Sequence, residues 1–367
     1  MHRAVGIGFD HMHIGDQLRL AAANTSVEVV GVVDSSLERM ARVCSDVGLS
    51  DVPQVLTADA DAALDEWAPD VAIVCSTTAE HRPWVERLAA RGIHVVLEKP
   101  FGPHVTEVDA MVAAAERWGT LVAVNWPLAW VPAHRTTHRL ATGGAIGRVL
   151  EVHYYDGNRG PLRHLHDKIE LDPTEADRAD AWWYSKAAGG GSLLDYLGYG
   201  TTLGTWFREG EAPRSVTAVA HVPAGLEVDE QSVVVAAYEG GLSTFQTRWG
   251  TFTDPWTHQP QPRCGFVVTG TEGTISSWDY QPYVTVQDHG HPEGRQVPVD
   301  VPAPHEQDSI AALVHSLDTG TPLDGPMSPS VCRTGQRVVD AAVRSVEEGR
   351  TVTLDALDEA ADTGARR

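Results

Sequence analysis

"RAVGIGF", residues 3–9, alternates small and apolar side chains and then meets glycine, which is the pattern of a buried strand ending in a tight turn. "GDQLRLAAANT" follows with helical spacing, and "VEVVGVVDSS" at 27–36 is a second β-branched run that closes on Asp34. Strand, glycine turn, helix, strand and acid make a βαβ unit. A chain that begins this way is committed to parallel strands with helices laid across them. An acid roughly 20 to 30 residues beyond such a turn is placed to accept hydrogen bonds from the ribose hydroxyls of a dinucleotide. Asp34 thus favours NAD over NADP, because a 2′-phosphate would meet its carboxylate.

The glycine turn is incomplete. Gly6 and Gly8 are the first two glycines of GxGxxG, but His11 holds the third position and Gly15 comes four residues later. The cofactor is expected along Gly6, Gly8, Phe9, Asp10 and His11 on the phosphate side and Asp34 and Ser35 on the ribose side. Histidines at i and i+2, here His11 and His13, serve as metal ligands in some proteins. No neighbouring Cys, His or carboxylate cluster completes a site, so no metal is expected.

Two further apolar runs lead out of the sheet. "PDVAIVCSTTAEH" at 69–81 exits into Ser76 and Thr77, and "RGIHVVLEKPFG" at 91–102 exits into Glu98, Lys99 and Pro100. They alternate with amphipathic segments at 82–91 and 105–118, as in a doubly wound sheet, whose ligands sit at the carboxyl ends of the strands. Pro100 restricts Lys99 to extended geometry or a cis bond.

From about 214 to 302 the pattern changes to short alternating runs separated by turn residues, as an antiparallel sheet requires. Two amphipathic helices follow, within 305–320 and 328–349. The expected division is a cofactor domain at 1–122, a substrate and oligomerisation domain at 123–354 and a flexible tail at 355–367. A formal charge of −22, from 28 Lys and Arg against 50 Asp and Glu, argues against nucleic-acid or anionic-membrane partners. No apolar stretch approaches the roughly 20 residues of a membrane span. Four scattered cysteines without a CxxC pair fit a reducing, cytoplasmic setting.

The order of glycine turn, "VVDSS", "CSTTAEH", "HVVLEKPFG" and "GGGSLLDYLGYG", continued by "TGTEGTIS" at 269–276, resembles the Gfo/Idh/MocA oxidoreductases, the family of glucose–fructose oxidoreductase and inositol dehydrogenase. The resemblance implies a Rossmann domain followed by a large open, mostly antiparallel sheet that serves as the contact of a homodimer or homotetramer. It implies NAD and a polyol, sugar or glycoside substrate. It also places Ser76, Thr77, His81, Glu98, Lys99 and Asn125 on the cofactor side, makes Lys99–Pro100 a cis peptide, and matches Asp195 to the active-site aspartate. Tyr199 stands where the family has its catalytic histidine.

Asp195 and Tyr199 are four residues apart and share a helix face. Oxidising an alcohol needs a proton acceptor, and a phenol that ionises near pH 10 needs a cation to serve. The expected constellation is therefore Lys99 polarising the substrate oxygen, Tyr199 relaying or accepting its proton with its pKa lowered by Lys99, or else only lining the pocket, and Asp195 anchoring hydroxyls or orienting Lys99. His164 or His166 is the alternative base. Trp126, Trp130, Trp182, Trp183 and Tyr184 are candidate stacking surfaces for a sugar ring, and Trp249 and Trp256 are candidates for a subunit contact. Two other functional classes stay open: a hydrolase or lyase that oxidises its substrate transiently with tightly held NAD, and a non-catalytic sugar or nucleotide sensor.

Overall fold

The computed structural model describes residues 1–355 and 357; the tail expected at 355–367 falls almost wholly outside them. The first sheet has six parallel strands: β1 (His2–Ile7), β2 (Val27–Asp34), β3 (Gln54–Leu56), β4 (Val71–Val74), β5 (His94–Glu98) and β6 (Val122–Asn125). Their order is β3-β2-β1-β4-β5-β6. Helices α1 (His13–Ala23), α2 (Leu37–Asp46), α3 (Ala60–Trp67), α4 (His81–Ala89) and α5 (Val105–Trp118) make the crossovers. Both faces are covered, which is why β4 reads VAIV without a polar break and is buried throughout.

Strand order reverses between β1 and β4, and a crevice opens there at the carboxyl ends. Gly8 closes that point. Its φ is +74°, and a Cβ would stand 2.7 Å from the backbone of Ser76, so only glycine lets the turn after β1 lie against the exit of β4.

The second sheet has nine strands: β7 (Val149–Asn158), β8 (Ser215–His221), β9 (Gln231–Ala237), β10 (Leu242–Trp249), β11 (Gly265–Gly270), β12 (Gly273–Trp278), β13 (Tyr283–Asp288), β14 (His291–Pro298) and β15 (Val352–Thr353). The order is β14-β13-β12-β11-β7-β10-β9-β8-β15. Every pairing is antiparallel except that of β7 with β10. One face is covered by α6 (Pro132–Thr142) and by α8 (Ser192–Phe207), which is preceded by the short α7 (Glu175–Asp180). Buried side chains alternate along β9 and β10 because only that face is dry.

The chain does not keep the two sheets apart. β6 extends the first sheet to Asn125, three residues beyond the expected boundary at 122. α9 (Ser309–Thr319) returns from the second sheet, and its Ile310, Leu313 and Val314 join Ile14, Leu18, Val96 and Ala123 in one apolar cluster. α10 (Pro329–Glu348) packs on α5, α8 and β8 and so clasps both halves. The crevice between the sheets is thereby braced from behind, and β5 and α8 both deliver residues to it.

Candidate active site

Lys99 leaves the end of β5, and Asp195 stands in the first turn of α8. The Lys99 ammonium donates to Asp195 Oδ1 at short range and to the Asp195 backbone oxygen at 3.4 Å. Asp195 Oδ2 accepts from the Trp249 indole at 3.1 Å. Lys99 is 3% exposed and Asp195 5%. Two charges this dry persist only as a pair, so the contact ties the two halves at one point. The rings of Tyr199, Trp183 and Tyr196 stand 5.3, 5.7 and 5.8 Å from Lys99 Nζ, and Lys99–Pro100 is cis.

Both charged groups line a cavity of about 440 Å³. His13, Asn125, Asp156, Trp183, Tyr199 and Trp256 share its wall. Tyr199 does not have the electrostatics expected of a base. Burial first, then the carboxylates of Glu98, Asp195 and Asp156, push its phenol well above the usual range, although the Lys99 ammonium stands 5.3 Å from the ring. At neutral pH Tyr199 is a hydrogen-bond donor.

Asp156, at the end of β7, is the unexpected acid of the cavity. Burial, then the neighbouring Asp279 carboxylate and more weakly Asp195, push it up to about 7, while the 2.8 Å hydrogen bond from Tyr154 Oη and the Lys99 charge act the other way. Asp279 is itself held by His134 Nε2 at 2.8 Å. The folded-state value lies above the unfolded one near 3.9, so the folded protein binds the extra proton between them and stability falls as pH rises through that window. Asp156→Asn keeps the acceptor for Tyr154 and removes the penalty. From about pH 5 to about pH 8, wild type is expected to lose on the order of 3 kcal/mol more than the variant, read from denaturant unfolding; equal losses would contradict the assignment.

The expected substrate residues divide. His164 lines the cavity with its ring edge-on to Trp256 at 4.8 Å, and burial, then His13, push it down to about 4, which leaves it a neutral, weak base. His166 does not reach the cavity. Its ring lies on α1, where a Cβ at Gly15 would stand 2.5 Å from the His166 Cγ, and it faces Asp46 instead. Trp126 is 1% exposed and belongs to the core, bonded to Cys332 Sγ and packed edge-on against Tyr199. Trp182 donates to the Asp10 carbonyl at 3.0 Å and stacks on Trp183. The tryptophans on the cavity wall are Trp130, Trp183 and Trp256. Trp249, considered for a subunit contact, is buried on Asp195, and Trp256 is spent on the cavity.

A second cavity, about 590 Å³, runs past Phe9, Asp10, Arg39 and Arg42 and meets the first at Met12, His164 and Trp183. It passes the glycine turn at Phe9 and Asp10 and then Arg39, which pairs with Asp34 at the end of β2. Asp34 there accepts from the Phe9 and Ser36 amides, both at 2.8 Å, and from Arg39, which also reaches Asp10 and Ser35. The Arg39 guanidinium therefore covers both oxygens of Asp34. Gly6 is inside β1, while Ser76, Thr77 and His81 stand at the exit of β4 and the start of α4. His81 Nδ1 is bound to the Phe101 carbonyl at 3.3 Å.

Around Glu98 the structure corrects the expectation that nothing completes a cluster with the two histidines. His13 Nδ1 is 2.9 Å and His11 Nε2 3.7 Å from the same oxygen, Glu98 Oε1. Asn125 Nδ2 holds the other oxygen at 2.9 Å. Glu98 lies 85 residues beyond His13, and the parallel pairings of β1 with β4 and β4 with β5 bring them together.

Comparison with known proteins agrees with this geometry. Residues 4–126 match the oxidoreductase family with an NAD-binding Rossmann fold, and residues 134–276 match the GFO/IDH/MocA C-terminal domain. The chain is 24% identical over 364 residues to D-apiose dehydrogenase of Paraburkholderia graminis, covering 96% of this chain and 89% of that one. It is 28% identical over 330 residues to 1,5-anhydro-D-fructose reductase of Ensifer adhaerens, covering 87% and 90%. Aldose-aldose oxidoreductase from Caulobacter crescentus, crystallised with glycerol, shares the fold with a TM-score of 0.74 at 22% identity, over 96% of this chain and all of that one. With a glycine turn and an acid for the dinucleotide, and a lysine and an aspartate from separate domains meeting beside it, the chain belongs to the Gfo/Idh/MocA family of NAD-binding oxidoreductases.

Proposed function

We propose that this protein moves a hydride between NAD and a secondary alcohol of a sugar, cyclitol or glycoside held in the 440 Å³ cavity. One observation carries the reading: Lys99 and Asp195 come from different domains and meet, buried, on the wall of that cavity. Its volume lies within the roughly 300–1,000 Å³ of small-ligand sites, and indole faces beside carboxylates suit a polyol ring. Relatives named for D-apiose, 1,5-anhydro-D-fructose and inositol support the substrate class.

Bound NAD supplies the hydride acceptor. The chain's own part is to hold the reacting oxygen. Lys99 donates to it and stabilises the alkoxide charge that builds as the hydroxyl proton passes to the Asp156 carboxylate on the same wall, a charge discharged when the C–H electron pair leaves as hydride. Asp195 fixes the ammonium and accepts from a neighbouring hydroxyl. Tyr199 donates a second hydrogen bond from its neutral phenol. Tyr199→Phe is expected to lower kcat/KM by about tenfold with the pH profile unchanged in shape; loss of an alkaline or neutral limb would restore Tyr199 as the proton acceptor.

Asp156 favours a second reading. A carboxyl held up to about 7 beside a sugar can protonate a departing glycosidic oxygen, so transient oxidation followed by bond cleavage fits the same cavity. The two readings part on product. Mixing the protein with NAD and a panel of sugars, inositols and glycosides gives net NADH absorbance under the first and cleaved glycoside without net NADH under the second. Silence in both would leave only the sensor. The outer face of the nine-stranded sheet, with Val219 and Leu242 exposed, supports a homodimer or homotetramer.

A further inference from the structure

His11 Nε2, His13 and a Glu98 oxygen lie within 4.8 Å of one another. Ligand atoms about 2.0–2.2 Å from a single ion stand roughly 3 to 3.6 Å apart, so the 2.9 and 3.7 Å separations of the two nitrogens from Glu98 Oε1 bracket that spacing. His11 Nε2 is the second, independent sign. Its side chain is 2% exposed, and among the described residues that nitrogen has no hydrogen-bond partner, although it points at a carboxylate. Buried polar atoms are rarely left so. Asn125 steadies Glu98 from behind, as outer partners of metal ligands do.

We propose that His11, His13 and Glu98 bind a divalent transition-metal ion of the zinc class, with its open coordination positions facing the cavity that Lys99 and Asp195 share. Two imidazoles and one carboxylate suit Zn²⁺, Fe²⁺ or Co²⁺, whereas Mg²⁺ and Ca²⁺ favour sites built from oxygen. The position explains a departure in the sequence. A glycine at residue 11 would complete GxGxxG, and the chain has spent that position on a ligand. His13 is only partly buried and lies on the cavity wall, which leaves one side of the ion open. In the metal-free protein His11 Nδ1 accepts a 3.2 Å hydrogen bond from the His13 amide, which places the ring proton on Nε2; loading moves that proton to Nδ1 and gives up this one long bond.

An open position here would take a substrate hydroxyl and lower its pKa, easing transfer of its proton to a carboxylate of the cavity wall where the neutral phenol of Tyr199 gives no help. That role rests on the polyol reading. Ion binding does not, and it is measured without substrate.

The test is calorimetric titration of the chelator-stripped protein with Zn²⁺, and with Co²⁺ followed by visible absorbance. One ion per chain is expected. His11→Ala and the milder His13→Gln should each weaken binding by about 100-fold, with a cooperative thermal unfolding transition retained as evidence of folding. No binding, or binding indifferent to both substitutions, overturns the site. If the ion binds at these residues and polyol oxidation runs equally with and without it, the role falls and the site stands. If the ion binds and no polyol is oxidised, the substrate reading fails while the metal site is supported.

Discussion

Lys99→Met is expected to lower kcat/KM on the order of 1,000-fold, mostly in kcat. The ammonium is the one cation on the cavity wall that is also buried beside Asp195, and removing a donor aimed at a developing oxyanion costs about 10²–10³ in rate. Lys168, the other lysine on that wall, sits over the rings of Tyr280 and Trp256 and cannot substitute. NAD affinity should change little, because the adenosine half is expected in the second cavity, which Lys99 does not line. Steady-state kinetics with titration of NAD separates the two effects; a variant that keeps turnover would show that the lysine is only a strut.

Asp195→Asn carries the largest expected loss of stability. Asparagine keeps an acceptor for the Trp249 indole but leaves the Lys99 ammonium dry and without a counter-charge. Breaking one side of a buried pair costs about 3–5 kcal/mol, whereas removing both charges together is close to neutral. Denaturant unfolding should therefore show Asp195→Asn destabilised by about 3 kcal/mol and Lys99→Met/Asp195→Asn restored to within about 1 kcal/mol of wild type, still inactive. Simple addition of the two single losses would contradict the pairing.

The first sheet was legible because doubly covered parallel strands appear as uninterrupted apolar runs, and its exits named Glu98 and Lys99 directly. Asp195 was legible through the i, i+4 geometry of α8 and the family likeness. β7 was not singled out, although Val152 and Tyr154 point inward between the outward Glu151, His153 and Tyr155, and with it Asp156 was missed. Nor could the sequence put Glu98 beside His13, since that depends on strand order. Tryptophan placement was legible only in part: Trp130 and Trp183 do line the cavity, whereas Trp126 is sunk in the core and Trp182, stacked on Trp183 in one 3₁₀ turn, gives its indole N–H to the Asp10 carbonyl. The sign at Tyr199 was misjudged because the ammonium alone was weighed, while burial and the carboxylates of Glu98, Asp195 and Asp156 push the phenol up.

The central claim is that the buried lysine of the first domain and the aspartate of the second hold adjoining oxygens of one substrate beside the nicotinamide. A crystal structure with NAD and an unreactive polyol analogue tests it most directly. The account predicts the analogue in the 440 Å³ cavity, with one oxygen within hydrogen-bond reach of Lys99 Nζ and a neighbouring one on Asp195. An analogue seated elsewhere, or a lysine still turned wholly onto Asp195 with the nicotinamide out of reach, would contradict it.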